Sequence, residues 1–150
     1  RRGGTENTLG IIGFGKAAEL VGELDETVLG DIRNLRDRLE AGICARIEGA
    51  VVNGAGSQRL STVTNIHLPG LEGEAMVIAL DMEGIALSSG SACSSGTMEP
   101  SHVLLAMGLP YEAAGSSLRF SLSRYTTAAD IDFTLAQVPQ VAERLQALGL

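Results

Sequence analysis

Basic side chains are scarce. The sequence has a single lysine, Lys16, and its arginines are scattered through a chain of net charge −7. A nucleic-acid surface needs clustered Lys and Arg to neutralise phosphates, so no nucleic-acid partner is expected. Long apolar runs are absent as well. No stretch approaches the roughly 20 residues of a membrane-spanning helix, so no membrane partner is expected either. Metal-ligating residues are few and badly spaced. Cys44, Cys93, His67 and His102 form no C-x-x-C or H-x-x-x-H pattern, which argues against a protein-only zinc site. Nothing suggests an oxidising compartment, so both cysteines are expected as thiols in the cytoplasm. The opening residues, RRGGTENT, show neither a methionine nor a secretory signal pattern, and the sequence is expected to be a fragment.

What is present suits one soluble domain or a large piece of one: 150 residues, 45% hydrophobic and 19% charged. A unit of this size buries enough surface to need no disulfide or metal staple. The run from Thr8 to about Glu23 is apolar with internal glycines and predicts a helix packed against other backbone. Residues 27–43 place Val28, Ile32, Leu35 and Leu39 on one helical face, with Gly42 expected to end the helix. ICARIEGAVVNG and STVTNIHL read as strands, the first containing Cys44 as a structural residue. EGEAMVIALDMEG predicts a short helix, IALSS a short strand, and Pro100 the first turn of a helix through Met107. SSLRFSLSRY alternates, with Leu118, Phe120 and Leu122 on one face and Arg119, Ser121 and Ser123 on the other. A last helix, capped by Thr126 or Thr127, carries Ile131, Leu135, Val138, Ala142 and Leu145 inward and should kink at Pro139. The order ααββαβαβα predicts an α/β or α+β architecture, helices packed on a small mixed sheet.

Three places carry candidate chemistry. In SSGSACSSGTMEPSHVL, Cys93 sits among small polar residues between Gly90 and Gly96, a setting too small and polar to bury it. It is either a thiol presented to solvent or an incidental loop cysteine. The positive end of a helix beginning near Pro100 would favour its thiolate. A Cys/His hydrolase would pair Cys93 with His67 or His102, although His102 also suits an ordinary first-turn residue and His67 a strand-end or surface histidine. RRGGTEN is either a common Gly/Thr turn or an anion cradle built from backbone N–H groups, the Thr5 hydroxyl and two arginines. Arg119 projects from the polar face of a strand. There it is a surface residue or a bidentate grip for a carboxylate.

RRGGTEN, SSGSACSSGTMEPSHVL and SLRFSLSRYTTAADID occur in an order and spacing that resembles the C-terminal part of a nitrogen-fixation-type cysteine desulfurase. These enzymes depend on pyridoxal 5'-phosphate and share the fold type I, aminotransferase-like architecture. The resemblance implies that Cys93 is the catalytic nucleophile, taking sulfur from L-cysteine as a persulfide and leaving L-alanine. It implies that Thr5 contacts the cofactor phosphate of the opposite subunit in a homodimer, and that Arg119 holds the substrate carboxylate. The cofactor supplies an electron sink. The persulfide would pass to an iron–sulfur scaffold or another sulfur acceptor, with Cys93 a transient iron–sulfur ligand and no resident metal. The family's cofactor-binding lysine follows a histidine, and no His-Lys pair exists here. The same resemblance implies that residues 1–24 are a remnant of the cofactor-binding large domain. Residues 25–150 would then be the small C-terminal domain, with the cysteine loop at 88–100, and the piece alone would be inactive. The alternative is a stand-alone sulfur-carrier or protein-interaction module without cofactor chemistry.

Overall fold

The computed structural model describes residues 3–23, 25–89 and 99–149. Cys93, Gly90 and Gly96 lie outside the described residues, and so do Arg1 and Arg2.

Helix α1 spans Thr8–Gly22 and is capped by Asn7, whose side chain accepts from the Gly10 N–H at 3.0 Å. It follows the predicted apolar run closely, but the expected packing is not seen among the described residues: none of its residues is buried, and Leu9 and Phe14 are 82% and 79% exposed. Among the described residues, a hydrogen bond from Arg124 Nη1 to the Leu20 carbonyl at 3.3 Å ties it to the rest of the structure.

Helix α2 spans Glu26–Arg46, capped by Asp25. It buries Ile32, Leu39 and Ile43 on the predicted face, but it does not stop at Gly42. A Cβ at position 42 would lie 2.5 Å from Leu135 Cδ2, so this glycine permits close contact with a facing helix rather than ending its own. The chain turns instead at Gly49, whose φ of +76° favours glycine. Cys44 is therefore half-buried on a helix, not in a strand. The helical period running through Ile43 outweighs the β-branched content of the segment.

Strands β1 (Val51–Val52), β2 (Val63–His67), β3 (Ser88–Ser89) and β4 (Ser117–Ser121) form one sheet in the order β1-β2-β4-β3. Helix α3 (Gly73–Met82) connects β2 to β3, and the short helices α4 (His102–Ala106) and α5 (Tyr111–Gly115) precede β4. Helix α6 covers Ala128–Leu148 and runs on through Pro139; Thr127 and Asp130 form a reciprocal capping box at its start. The α/β class stands, with helices on a small sheet, but every adjacent pair is antiparallel rather than mixed. Strands β2 and β3 do point the same way, as a strand–helix–strand crossover requires. Strand β4 lies between them and opposes both.

The alternation of β4 divides the sheet into two unlike faces. Ile66, Leu118, Phe120 and Leu122 join Ile32, Leu39, Ile43, Met76, Leu80 and the inward face of α6 in one core. All five of the α6 residues expected inside are buried. The connection from β1 to β2 is pinned to α2 by charge. Arg36 donates to the Leu60 carbonyl at 2.6 Å, and Arg59 forks onto Glu40 at 2.6 and 3.1 Å. Among the described residues the opposite face of the sheet is left more open, with Arg119 exposed and Asn65 half-buried.

Candidate active site

Arg119 stands on β4, on the face away from the core, between apolar neighbours that point inward. Its Cα partner on β2 is Asn65 and its partner on β3 is Ser88. Directly opposed residues of an antiparallel pair project to the same side of the sheet. Arg119 Nη2 donates to Ser88 Oγ at 3.3 Å, and its other N–H groups have no acceptor among the described residues. A guanidinium held from one side with its remaining donors open is suited to a carboxylate. Ser88 and Ser89 also end the described chain before the cysteine-containing segment, so the chain enters that segment beside Arg119. Cys93 itself lies outside the described residues.

The same face holds residues that the alternation pattern did not single out. Asn53 Nδ2 donates to Asn65 Oδ1 at 2.6 Å and to Ser117 Oγ at 3.0 Å. Ser116 Oγ lies 2.9 Å from His67 Nδ1, which gives the ring a hydroxyl partner. Period-two patterning marks Asn65 and His67 as outward-facing but does not reveal that Asn65 meets Arg119. That depends on the register of strands far apart in sequence.

The other candidates lie apart. Thr5 is exposed, two residues before the Asn7 cap of α1, and its hydroxyl has no partner among the described residues. Gly4 has a φ of +94°, and nothing approaches within 4 Å of a Cβ built on Gly3 or Gly4. This turn has the open backbone and free hydroxyl that a phosphate needs. Lys16 is an exposed α1 residue paired with Glu19 at 2.8 Å. His102 opens α4 and is exposed. Helix α4 has five residues and no side-chain cap, so the helix-dipole support expected for a thiolate is weak. Burial raises the pKa of the Cys44 thiol, and the nearby Glu40 charge raises it further, which disfavours the reactive thiolate. Among the described residues no group of three or more His, Cys, Asp or Glu is placed to hold a metal ion, and no helix is long and apolar enough to cross a membrane.

Residues 1–133 match the aminotransferase class-V family. The chain belongs to that family. This class-V chain is similar to a cysteine desulfurase of Trichormus azollae, with 53% identity over 149 residues, 99% of this chain and 37% of that protein. It is 49% identical over 146 residues to the cysteine desulfurase NifS of Azotobacter vinelandii, covering 97% of this chain and 36% of the relative. Among solved structures, a NifS-like protein from Rickettsia africae superposes with a TM-score of 0.82 at 32% identity, covering 95% of this chain and 36% of that one. The class-V chain thus spans little more than a third of the length of the curated relatives it matches.

The family implies pyridoxal phosphate. Only part of such a site fits the residues described: the Gly3–Thr5 turn suits the phosphate end of the cofactor. The sole lysine lies within α1, exposed and paired with Glu19.

Proposed function

We propose that this chain is the sulfur-carrying part of a cysteine desulfurase, acting within a longer polypeptide. The observation that carries the reading is the pairing of Arg119 with Ser88. It sets a carboxylate-binding guanidinium next to the strand from which the chain leads to Cys93. The similarity to named cysteine desulfurases along nearly the whole chain supports it.

In this reading Arg119 binds the carboxylate of L-cysteine by charge-assisted hydrogen bonds and fixes which end of the amino acid faces the cofactor. Pyridoxal phosphate, when bound, supplies an electron sink at the substrate α-carbon. The Cys93 thiolate attacks the substrate sulfur. A sulfur–sulfur bond forms as the substrate carbon–sulfur bond breaks, and its electron pair stays with carbon. Protonation of that carbon completes L-alanine, and Cys93 is left as a persulfide. No external oxidant or reductant is needed. The persulfide then passes to an iron–sulfur scaffold or another acceptor protein in the cytoplasm, with Cys93 a transient iron–sulfur ligand at most. Thr5 contributes its hydroxyl to the cofactor phosphate of the second subunit of a homodimer.

Residues 1–24 are assigned to the cofactor-binding large domain and residues 25–150 to the small domain, with the cysteine loop at 88–100. The exposed apolar side chains of α1, which find no partner among the described residues, support that division. On this reading residues 1–150 alone are inactive, because the sequence has no His-Lys pair to supply the cofactor-binding lysine.

The test is persulfide formation by the intact, cofactor-loaded gene product with L-cysteine, read by mass after alkylation. The wild type should carry one extra sulfur on the Cys93 peptide, and Cys93→Ala should carry none. Persulfide on the alanine variant would overturn the assignment. A sulfur-carrier module would instead accept sulfur from a donor persulfide without cofactor and release no alanine.

A further inference from the structure

The more open face of the sheet holds a cross-strand row of four polar side chains. Asn65, Arg119 and Ser88 are paired residues of β2, β4 and β3. Asn53 extends the row beyond β1, its N–H donating to the Asn65 carbonyl at 2.8 Å. Counting protons along the row fixes how the amides must point. Ser117 Oγ has a single proton, which it donates to the Ala113 carbonyl at 2.6 Å. Toward Asn53 it can therefore only accept, so the atom 3.0 Å away must be the amide nitrogen. The other proton of that nitrogen goes to Asn65 at 2.6 Å, and so the Asn65 atom facing Asn53 must be the carbonyl oxygen. The Asn65 NH2 group is turned away from Asn53 and has no acceptor among the described residues.

That NH2 group sits on the residue directly opposite Arg119. Facing Cβ atoms on neighbouring antiparallel strands are about 4.5–5.5 Å apart. A carboxylate seated on the guanidinium has lone pairs left over after a fork from Arg, and a neighbouring neutral donor can fill one. We propose that Asn65 is a second substrate-binding residue, donating to the same carboxylate as Arg119, and that Asn53 is a positioning residue that holds the Asn65 amide in the donating orientation. The ligand class is the carboxylate of a small α-amino acid. This rests on the reading of Arg119 as the carboxylate anchor.

The geometry also separates this role from simple packing. Ile66, Leu118 and Phe120, the core side chains of β2 and β4, are on the other face, so removing the Asn65 amide leaves their packing intact. Asn65→Asp is nearly isosteric and keeps an acceptor toward Asn53. It replaces the outward NH2 with an oxygen that repels an anion.

The experiment uses the intact, cofactor-loaded gene product and two ligands that differ only in the carboxylate, L-alanine and ethylamine. Binding is followed by calorimetry. Replacing Asn65 with Ala should weaken L-alanine roughly tenfold, as expected for one hydrogen bond to a charged group, and leave ethylamine unchanged. Asn65→Asp should weaken L-alanine further. Asn53→Ala should give a smaller loss and add little to Asn65→Ala in the double variant. With L-cysteine, the Asn65 variants should raise KM more than they lower kcat. Unchanged L-alanine affinity in both Asn65 variants, or an equal loss for both ligands, would overturn the proposal. Arg119→Ala provides the separate control. If it loses carboxylate discrimination while the Asn65 variants keep it, only Asn65 is misassigned. If it keeps discrimination, the anchor reading fails as well.

Discussion

Gly42 of α2 faces Leu135 of α6 so closely that a Cβ on the glycine would come within 2.5 Å of Leu135 Cδ2 and 2.7 Å of Cδ1. Leu135 is buried, so it has little room to give way.

Two glycines of the same helix should therefore respond oppositely to alanine. Gly30 has nothing within 4 Å of a built Cβ. Gly30→Ala should stabilise the protein by about 0.5–1 kcal/mol through helix propensity alone. At Gly42 the same gain of about 1 kcal/mol is opposed by an overpacking cost of about 1–3 kcal/mol, so Gly42→Ala should destabilise. Urea melts of the two variants check the split. A stabilised Gly42→Ala would show that the helices separate easily.

Acid should loosen the clamp between α2 and the loop before β2. Burial pushes the Glu40 carboxyl up, but hydrogen bonding and charge from Arg59, together with Arg36, more than offset this and hold its pKa below the ordinary value. A carboxylate with a depressed folded pKa contributes fully above its unfolded pKa, about 4.3 for Glu. The contribution is lost as pH falls through the lower folded value. The thermal midpoint should therefore drop with acidification in that window, and Glu40→Gln should flatten this part of the profile. Equal slopes in wild type and variant would refute the coupling.

The two thiols should be chemically unequal. The half-buried, upward-shifted Cys44 should react with iodoacetamide near neutral pH more slowly in the native protein than in urea. Under the proposed function, Cys93 should label first. Intact mass and peptide mapping over time separate the two, and prompt native labelling of Cys44 would contradict its placement on α2.

Arg119→Ala should chiefly impair substrate binding. Losing hydrogen bonds to a charged carboxylate costs about 1.5–3 kcal/mol, or roughly 10–100-fold in apparent affinity for L-cysteine. Steady-state kinetics of the intact protein should show the change in KM. A variant with unaltered KM would remove Arg119 from the site.

Much of the fold was legible because its signals are local. The spacing of Ile131, Leu135, Val138, Ala142 and Leu145 matches the buried stripe of α6, and Thr127 supplies the cap. The alternation of Leu118, Phe120 and Leu122 places Arg119 on the opposite face. Other features depend on contacts that spacing does not encode. Gly42 resembles a helix terminator until Leu135 is seen beside it. The short helix α5 was not expected; its residues, from Tyr111 to Gly115, are too few for a periodic pattern to emerge. The mixed sheet expected from the strand–helix–strand order is antiparallel because a later strand separates β2 from β3. Asn53 and Asn65 look like ordinary polar residues, and only the proton inventory through Ser117 gives the pair a direction.

The position of β4 has a consequence for how the molecule assembles. The strand that holds the centre of the sheet together is the last to be synthesised, so β2 and β3 cannot acquire their shared neighbour until it emerges. Until then their inner edges carry unpaired backbone groups, the kind of surface on which chains associate wrongly. Closing the sheet requires contacts between distant parts of the chain, a slow class of folding event. Arg119 arrives with that same strand. Under the proposed function, the carboxylate anchor is therefore assembled only once β4 has paired with its neighbours.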